Sequence, residues 1–152
     1  MQIVWHLVKD LWPYRNIPWP EIILGTILGC GSINLQSDRP RGHHPQQQKK
    51  TTHCGLTQLL QILISESMYL IWVLRCEQVI QEKLLSERKI KIRWYQAINE
   101  RLTINKVTVM KIKRNDNFIR QIEETWGPML SKEKDTPANW IYTSEVLVGR
   151  TA

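Results

Sequence analysis

Between Lys83 and Arg120 the chain sets eleven Lys or Arg against three acids, Glu87, Glu100 and Asp116. That is a local excess of +8 in a protein whose net charge is +7, so the remainder sums to −1. Within this segment Arg88, Lys89, Lys91 and Arg93 precede Trp94 and Tyr95, and Lys111, Lys113 and Arg114 follow Met110. Cations at such density neutralise phosphates, and aromatic rings beside them can stack on bases. RNA or DNA is therefore the partner these seven residues would take, with an anionic surface or acidic protein as the other chemistry for a basic run. Ile90 and Ile98 stand four residues either side of Trp94, which assigns that ring to a core rather than to a stacking platform. Charge alone then carries the binding reading, and charge alone reads little base sequence.

The remaining reactive residue types do not assemble into a catalytic pattern. Cys30, His43, His44, His53 and Cys54 have the ligand chemistry of zinc, but no pair at the C-x2–4-C or H-x3–5-H spacing. No metal or other cofactor is expected from them. Ser65, Ser67 and Cys76 have no histidine near in sequence, and no G-x-S-x-G occurs. Glu66 and Glu77 would serve acid–base chemistry only in a shared pocket; pairing with arginine is the commoner fate of such carboxylates. The acids of the basic segment are too scattered for a two-metal site. A non-enzymatic role follows.

The elements that must position these residues are read from hydrophobic period. The longest uninterrupted run is 55–82, where Leu56, Leu59, Leu60, Leu63, Leu70, Ile71 and Leu74 share one face of a helix. Ile62, Tyr69, Val73 and Ile80 form a second group to one side, which predicts neighbours on more than one face. Gln58, Gln61, Ser65, Glu66 and Ser67 interrupt its hydropathy, and an acid at mid-bilayer costs about 2.5 kcal/mol or more, so a buried helix rather than a membrane span is expected.

Upstream, Ile3, Val4, Leu7, Val8, Leu11 and Trp12 make one face of a short helix that Pro13 ends. This helix starts abruptly, as though upstream neighbours were missing. Residues 21–31 read as a second short apolar helix closed by glycines, with Gly25 and Gly29 spaced for close helix packing. Residues 37–52 are polar and bear Pro and Gly, the composition of a flexible or disordered linker. Downstream of a break near Ser86, Ile90, Trp94, Ala97, Ile98, Arg101 and Leu102 repeat at helical steps. Asn105 is placed to cap a third helix through Val107 and Met110 toward Phe118, Ile119, Ile122 and Trp126, with a split at 115–117. Gly127-Pro128 should end it, leaving a loop, a turn at Thr136-Pro137 and an extended tail.

The expected architecture is all-α: four to six helices in a small irregular assembly around one long central helix. It divides into short helices over 1–35, a linker over 36–54, a helical core over 55–127, and a loop and tail over 128–152. Leu59, Leu63, Leu70, Ile71, Leu74, Trp94, Ile98 and Ile122 are its predicted core. Three cysteines without framework spacing, and no signal peptide, imply free thiols and an intracellular, nuclear or cytoplasmic, setting.

Several strings also resemble a known family. ISESMYLIWVLRCEQVI (64–80), RWYQAINERLT (93–103), KIKR (111–114), NWIYTSEVLVGR (139–150) and WPEIILGTILGCG (19–31) are similar to the C-terminal region of basidiomycete non-LTR retrotransposon proteins. In those proteins the strings follow reverse transcriptase and RNase H-like parts. The resemblance implies a truncated, nucleic-acid-associated accessory segment of fungal origin, with polymerase or RNase H-like domains as partners. It transfers no catalytic residue, because neither the polymerase Asp-Asp pair nor the RNase H acid set has a counterpart here. The alternative it leaves is a structural element that packs on such domains and binds no nucleic acid. That alternative predicts an exposed apolar patch at Val4, Leu7, Val8 and Leu11.

Overall fold

A computed structural model describes residues 2–14, 16–35, 54–82, 85–112, 116–130, 139–143 and 146–148. Its five α-helices are α1 (Gln2–Leu11), α2 (Leu24–Leu28), α3 (Cys54–Gln81), α4 (Glu87–Lys111) and α5 (Asp116–Leu130), with 3-10 turns at Cys30–Ser32 and Trp140–Tyr142. No strand occurs among the described residues, and the class is all-α. The linker at 37–52 and the turn at Thr136-Pro137 lie outside the described residues.

α3 is the axis of the assembly, and α1, α4 and α5 all pack on it. Leu59, Leu60, Leu63 and Ile64 are completely buried along its first half. Leu56 to Leu74 supplies apolar residues around most of the circumference there, which is what a helix with neighbours on three sides requires. α5 approaches so closely that a Cβ on Gly55 would lie 2.5 Å from Glu124 Cβ and 2.7 Å from the Glu124 carbonyl carbon. α4 runs back along α3 and buries Trp94, Ile98 and Leu102 against the bundle. By length and composition α3 also fits a membrane-crossing helix. In the fold, the polar residues inside that run are met by protein partners: Ser67 by Trp94 and Glu66 by Arg101.

Seven of the eight predicted core residues are buried, and Leu74 is partly so. Other expectations are corrected. The α1 face is covered: Val4 and Val8 are buried beneath α3 and α4, with Leu7 and Leu11 packed at the edge of the core. No apolar patch is left there, because the chain supplies its own cover. Asn105 caps nothing, since α4 runs unbroken through it to Lys111 and buries it mid-helix. The break falls instead at Ile112, and α5 begins at Asp116. Nor does Gly127-Pro128 end α5, which continues to Leu130 with Met129 and Leu130 buried. A proline in the last turn forfeits one hydrogen bond, and burying two large side chains outweighs it.

Gly25 and Gly29 do not mediate helix packing. A Cβ on Gly29 would meet only the Gly25 carbonyl oxygen, at 2.9 Å, and one on Gly25 only its neighbour Ile23. Gly29 instead closes the last turn of α2, where its N–H bonds to Gly25 O and a side chain would crowd that same oxygen. α2 itself leaves Ile23, Leu24 and Leu28 exposed.

Candidate interaction surfaces

The basic segment is contiguous in sequence and divided in space. Arg88 and Lys89 stand in the first turn of α4, with Lys91 just after, all three exposed. Lys111 is exposed in the last turn of the same helix. Twenty residues separate Lys91 from Lys111, about 30 Å along the axis at 1.5 Å per residue. Lys113 and Arg114 lie outside the described residues. Lys91 shares the i, i+3, i+7 line of Trp94 and Ile98, yet it is exposed, because the first buried residue of α4 is Trp94, seven residues after Glu87.

Half of the described cations in this segment are engaged within the fold. Arg93 holds Glu77 in a fork, Nη1 to Oε2 at 2.6 Å and Nη2 to Oε1 at 2.9 Å. The Glu77 carboxylate thereby keeps the Arg93 guanidinium protonated even more firmly than usual. Arg101 Nε lies 3.9 Å from Glu66 Oε1, and Arg120 bonds Asn117 Oδ1 at 3.3 Å. Lys106 is buried and its Nζ donates to the Thr143 carbonyl oxygen, with burial lowering its pKa. Arg88, Lys89, Lys91 and Lys111 remain exposed, without an ion pair among the described residues. Cations in the first turn of α4 face the positive end of its dipole, so Arg88 and Lys89 gain nothing from the helix they start.

Four of the residues weighed for catalysis are engaged structurally, and Cys76 is a free, half-buried thiol. Glu77 and Glu66 are the arginine partners just named. Ser67 Oγ is buried and accepts the Trp94 indole N–H at 2.9 Å, which also fixes Trp94 in the core and away from any base. Ser65 Oγ donates to the Ile62 carbonyl of its own helix. Of the metal-capable set, Cys30 is half-buried and Cys54 exposed, and the three histidines lie outside the described residues. No group of three or more His, Cys, Asp or Glu converges among the described residues.

One surface was mispredicted. Of the second group on α3, Ile62 is buried, but Tyr69 and Ile80 are not. Every buried residue of α3 falls between Gly55 and Ile71; from Trp72 onward one side still meets the bundle, through Leu74 on the core and Glu77 on Arg93 of α4, and the opposite side does not. Ile62, Ser65, Tyr69, Trp72, Cys76 and Val79 follow one another at alternating three- and four-residue steps, with Ile80 beside them. The upstream end of this stripe is covered by the segment after α2, where Gln61 Nε2 donates to the Ile33 carbonyl at 3.1 Å and Thr57 Oγ1 accepts the Leu35 N–H at 3.1 Å. The downstream end is open: Tyr69 is 64%, Trp72 58%, Val79 68% and Ile80 78% exposed. The Tyr69 and Trp72 rings stand 6.0 Å apart on this open end. The spacing was visible in the sequence; the missing cover was not.

No family model matches the chain, and comparison with curated proteins and with solved structures gives no match.

Proposed function

We propose that this chain is a non-enzymatic helical interaction element that docks through the open half of α3. The observation that carries this is the stripe of Tyr69, Trp72, Val79 and Ile80, each more than half exposed and in register with a part of the same helix that the chain covers itself. Isolated exposed apolar residues are ordinary, but four large ones aligned on one helix face, two of them aromatic, make the contiguous kind of apolar surface that marks an interaction site. The engagement of Glu66, Glu77, Ser65 and Ser67 within the fold supports a role without catalysis. Upstream polymerase or RNase H-like domains, which the family resemblance implies, are the first partner to test by co-expression.

The direct test is the paired substitution Trp72→Glu/Ile80→Glu in the whole chain. It should abolish binding of an environment-sensitive apolar dye and co-purification with such a partner, with helix content by circular dichroism unchanged. Undiminished dye binding would refute the reading. Nucleic-acid association is the second reading, supported by the exposed Arg88, Lys89 and Lys91 clustered at the start of α4. Fluorescence anisotropy with labelled RNA and single-stranded DNA separates the two, since the second reading requires binding that the α3 substitutions leave intact.

A further inference from the structure

Residues 146–148 sit on α4 as a short peptide ligand would. Asn99 reads both main-chain groups of one residue: its Oδ1 accepts the Val148 N–H at 2.6 Å, and its Nδ2 donates to the Val148 carbonyl at 3.2 Å. The same Nδ2 donates to the Tyr95 carbonyl at 2.9 Å, one turn back on α4, which fixes the aim of the amide. Val146 and Val148 are buried while Leu147 between them is exposed, so side chains two apart are held and the middle one is free. Among the described residues no backbone–backbone hydrogen bond ties 146–148 to the bundle. A shallow, open depression lies beside the clamp, lined by Gln96, Asn99, Glu100, Thr103, Ile104 and Leu147.

We propose that this stretch of α4 is a binding site for an extended peptide with apolar residues two apart, and that the chain's own 146–148 fill it in cis. A side-chain amide that pairs with a main-chain N–H and C=O recognises any segment of suitable shape. Pockets for alternate side chains then supply selectivity, as they do when a strand is added to a sheet edge. The occupant's chemistry is shown by the segment in place: β-branched side chains at the two buried positions and an outward side chain between them. The site is independent of the α3 stripe.

Complementation in trans tests this. Val148→Pro in the full chain removes the N–H that Asn99 Oδ1 accepts, which opens the site. A labelled synthetic peptide spanning 139–150 should bind this variant ~tenfold or more tightly than it binds the unaltered chain, where the tethered segment competes at high effective concentration. The same peptide carrying Val148→Pro should not bind, and Asn99→Leu added to the variant should abolish binding. Failure of the peptide to bind a Val148→Pro chain of normal helix content overturns the proposal. Hydrogen exchange on the unaltered chain gives a second measurement should that variant unfold. The amides of 146–148 should exchange by local opening while α3 stays protected; exchange only in step with the α3 core overturns the proposal, because the segment is then a fixed part of the fold.

Discussion

The Trp94 indole N–H donates to Ser67 Oγ at 2.9 Å across the α3–α4 contact, and both side chains are completely buried. This one bond decides the fate of two residues with chemical potential. A serine free to act as a nucleophile and a tryptophan free to stack on a base are instead each other's partner. Ser67→Ala should cost about 1–3 kcal/mol, the penalty for leaving a buried donor without an acceptor, at almost no change in packing volume. Urea denaturation followed by circular dichroism measures it, and an unchanged midpoint would show that the bond is not needed.

Gly55→Ala should destabilise the protein even though it lies in a helix. Alanine is ordinarily better than glycine in a helix, by about 1 kcal/mol in the interior and less in the first turn, where Gly55 stands. Here the new methyl would stand 2.7 Å from the Glu124 carbonyl carbon and 2.9 Å from the Thr125 nitrogen, atoms of the α5 backbone that move only if the helix moves. Overpacking of this kind costs about 1–3 kcal/mol, enough to reverse the propensity gain. A melting temperature equal to or above that of the unaltered chain would contradict the close α3–α5 approach.

Division of the cations gives the nucleic-acid reading a specific form. If RNA or DNA binds at the start of α4, changing Arg88, Lys89 and Lys91 together to glutamine should weaken binding to all sequences alike. It should also reduce the salt slope by about one unit per lost phosphate contact. Lys111→Gln should do little by itself, being at the far end of the helix. Arg93→Gln should act differently again, by removing the fork on Glu77 and costing up to about 1 kcal/mol of stability, as expected of a partly exposed pair. Equal effects of Lys111 and the triple change on affinity would contradict a single site at the start of α4.

Alkaline pH should act on the fold through two half-buried tyrosines and one buried lysine, with opposing signs. Tyr14 is raised above 10.0 by burial and then by the nearby Glu124 charge, and Tyr95 by burial and then by Asp10. The folded state holds those protons more tightly, so their contribution is complete below pH 10.0 and is lost as pH rises through and above it. Lys106 is lowered from 10.5 by burial. The folded state holds that proton less tightly, so stability rises with pH between the lowered value and 10.5. Tyr14→Phe and Tyr95→Phe should each flatten the fall at high pH, and Lys106→Met should remove the rise before it. Urea midpoints measured across this range check both slopes, and a fall that neither tyrosine variant alters would refute the assignment.

Much of this molecule was written in local pattern. Hydrophobic period placed α3 within a residue at each end, made Ser86 the boundary before α4 and put Trp94, Ile98 and Ile122 in the core, because a 3.6-residue repeat of large apolar side chains leaves a helix little choice of face. Where tertiary contacts compete with local signals, the local signals lost: buried Met129 and Leu130 carry α5 past Gly127-Pro128, and packing holds Asn105 inside α4. Whether a surface is open is not a local property at all. The α1 face and the Tyr69–Ile80 face of α3 both present large apolar side chains at helical spacing in sequence, yet one is covered by the chain and the other is not. Likewise the charges between Lys83 and Arg120 form one run in sequence, but a rigid helix carries its two ends about 30 Å apart, and the fold takes up Arg93 and Lys106 for its own contacts. Sequence set the helices and their inward faces; only the docking of helix on helix, which joins residues far apart in the chain, decided which faces and which charges were left for a partner.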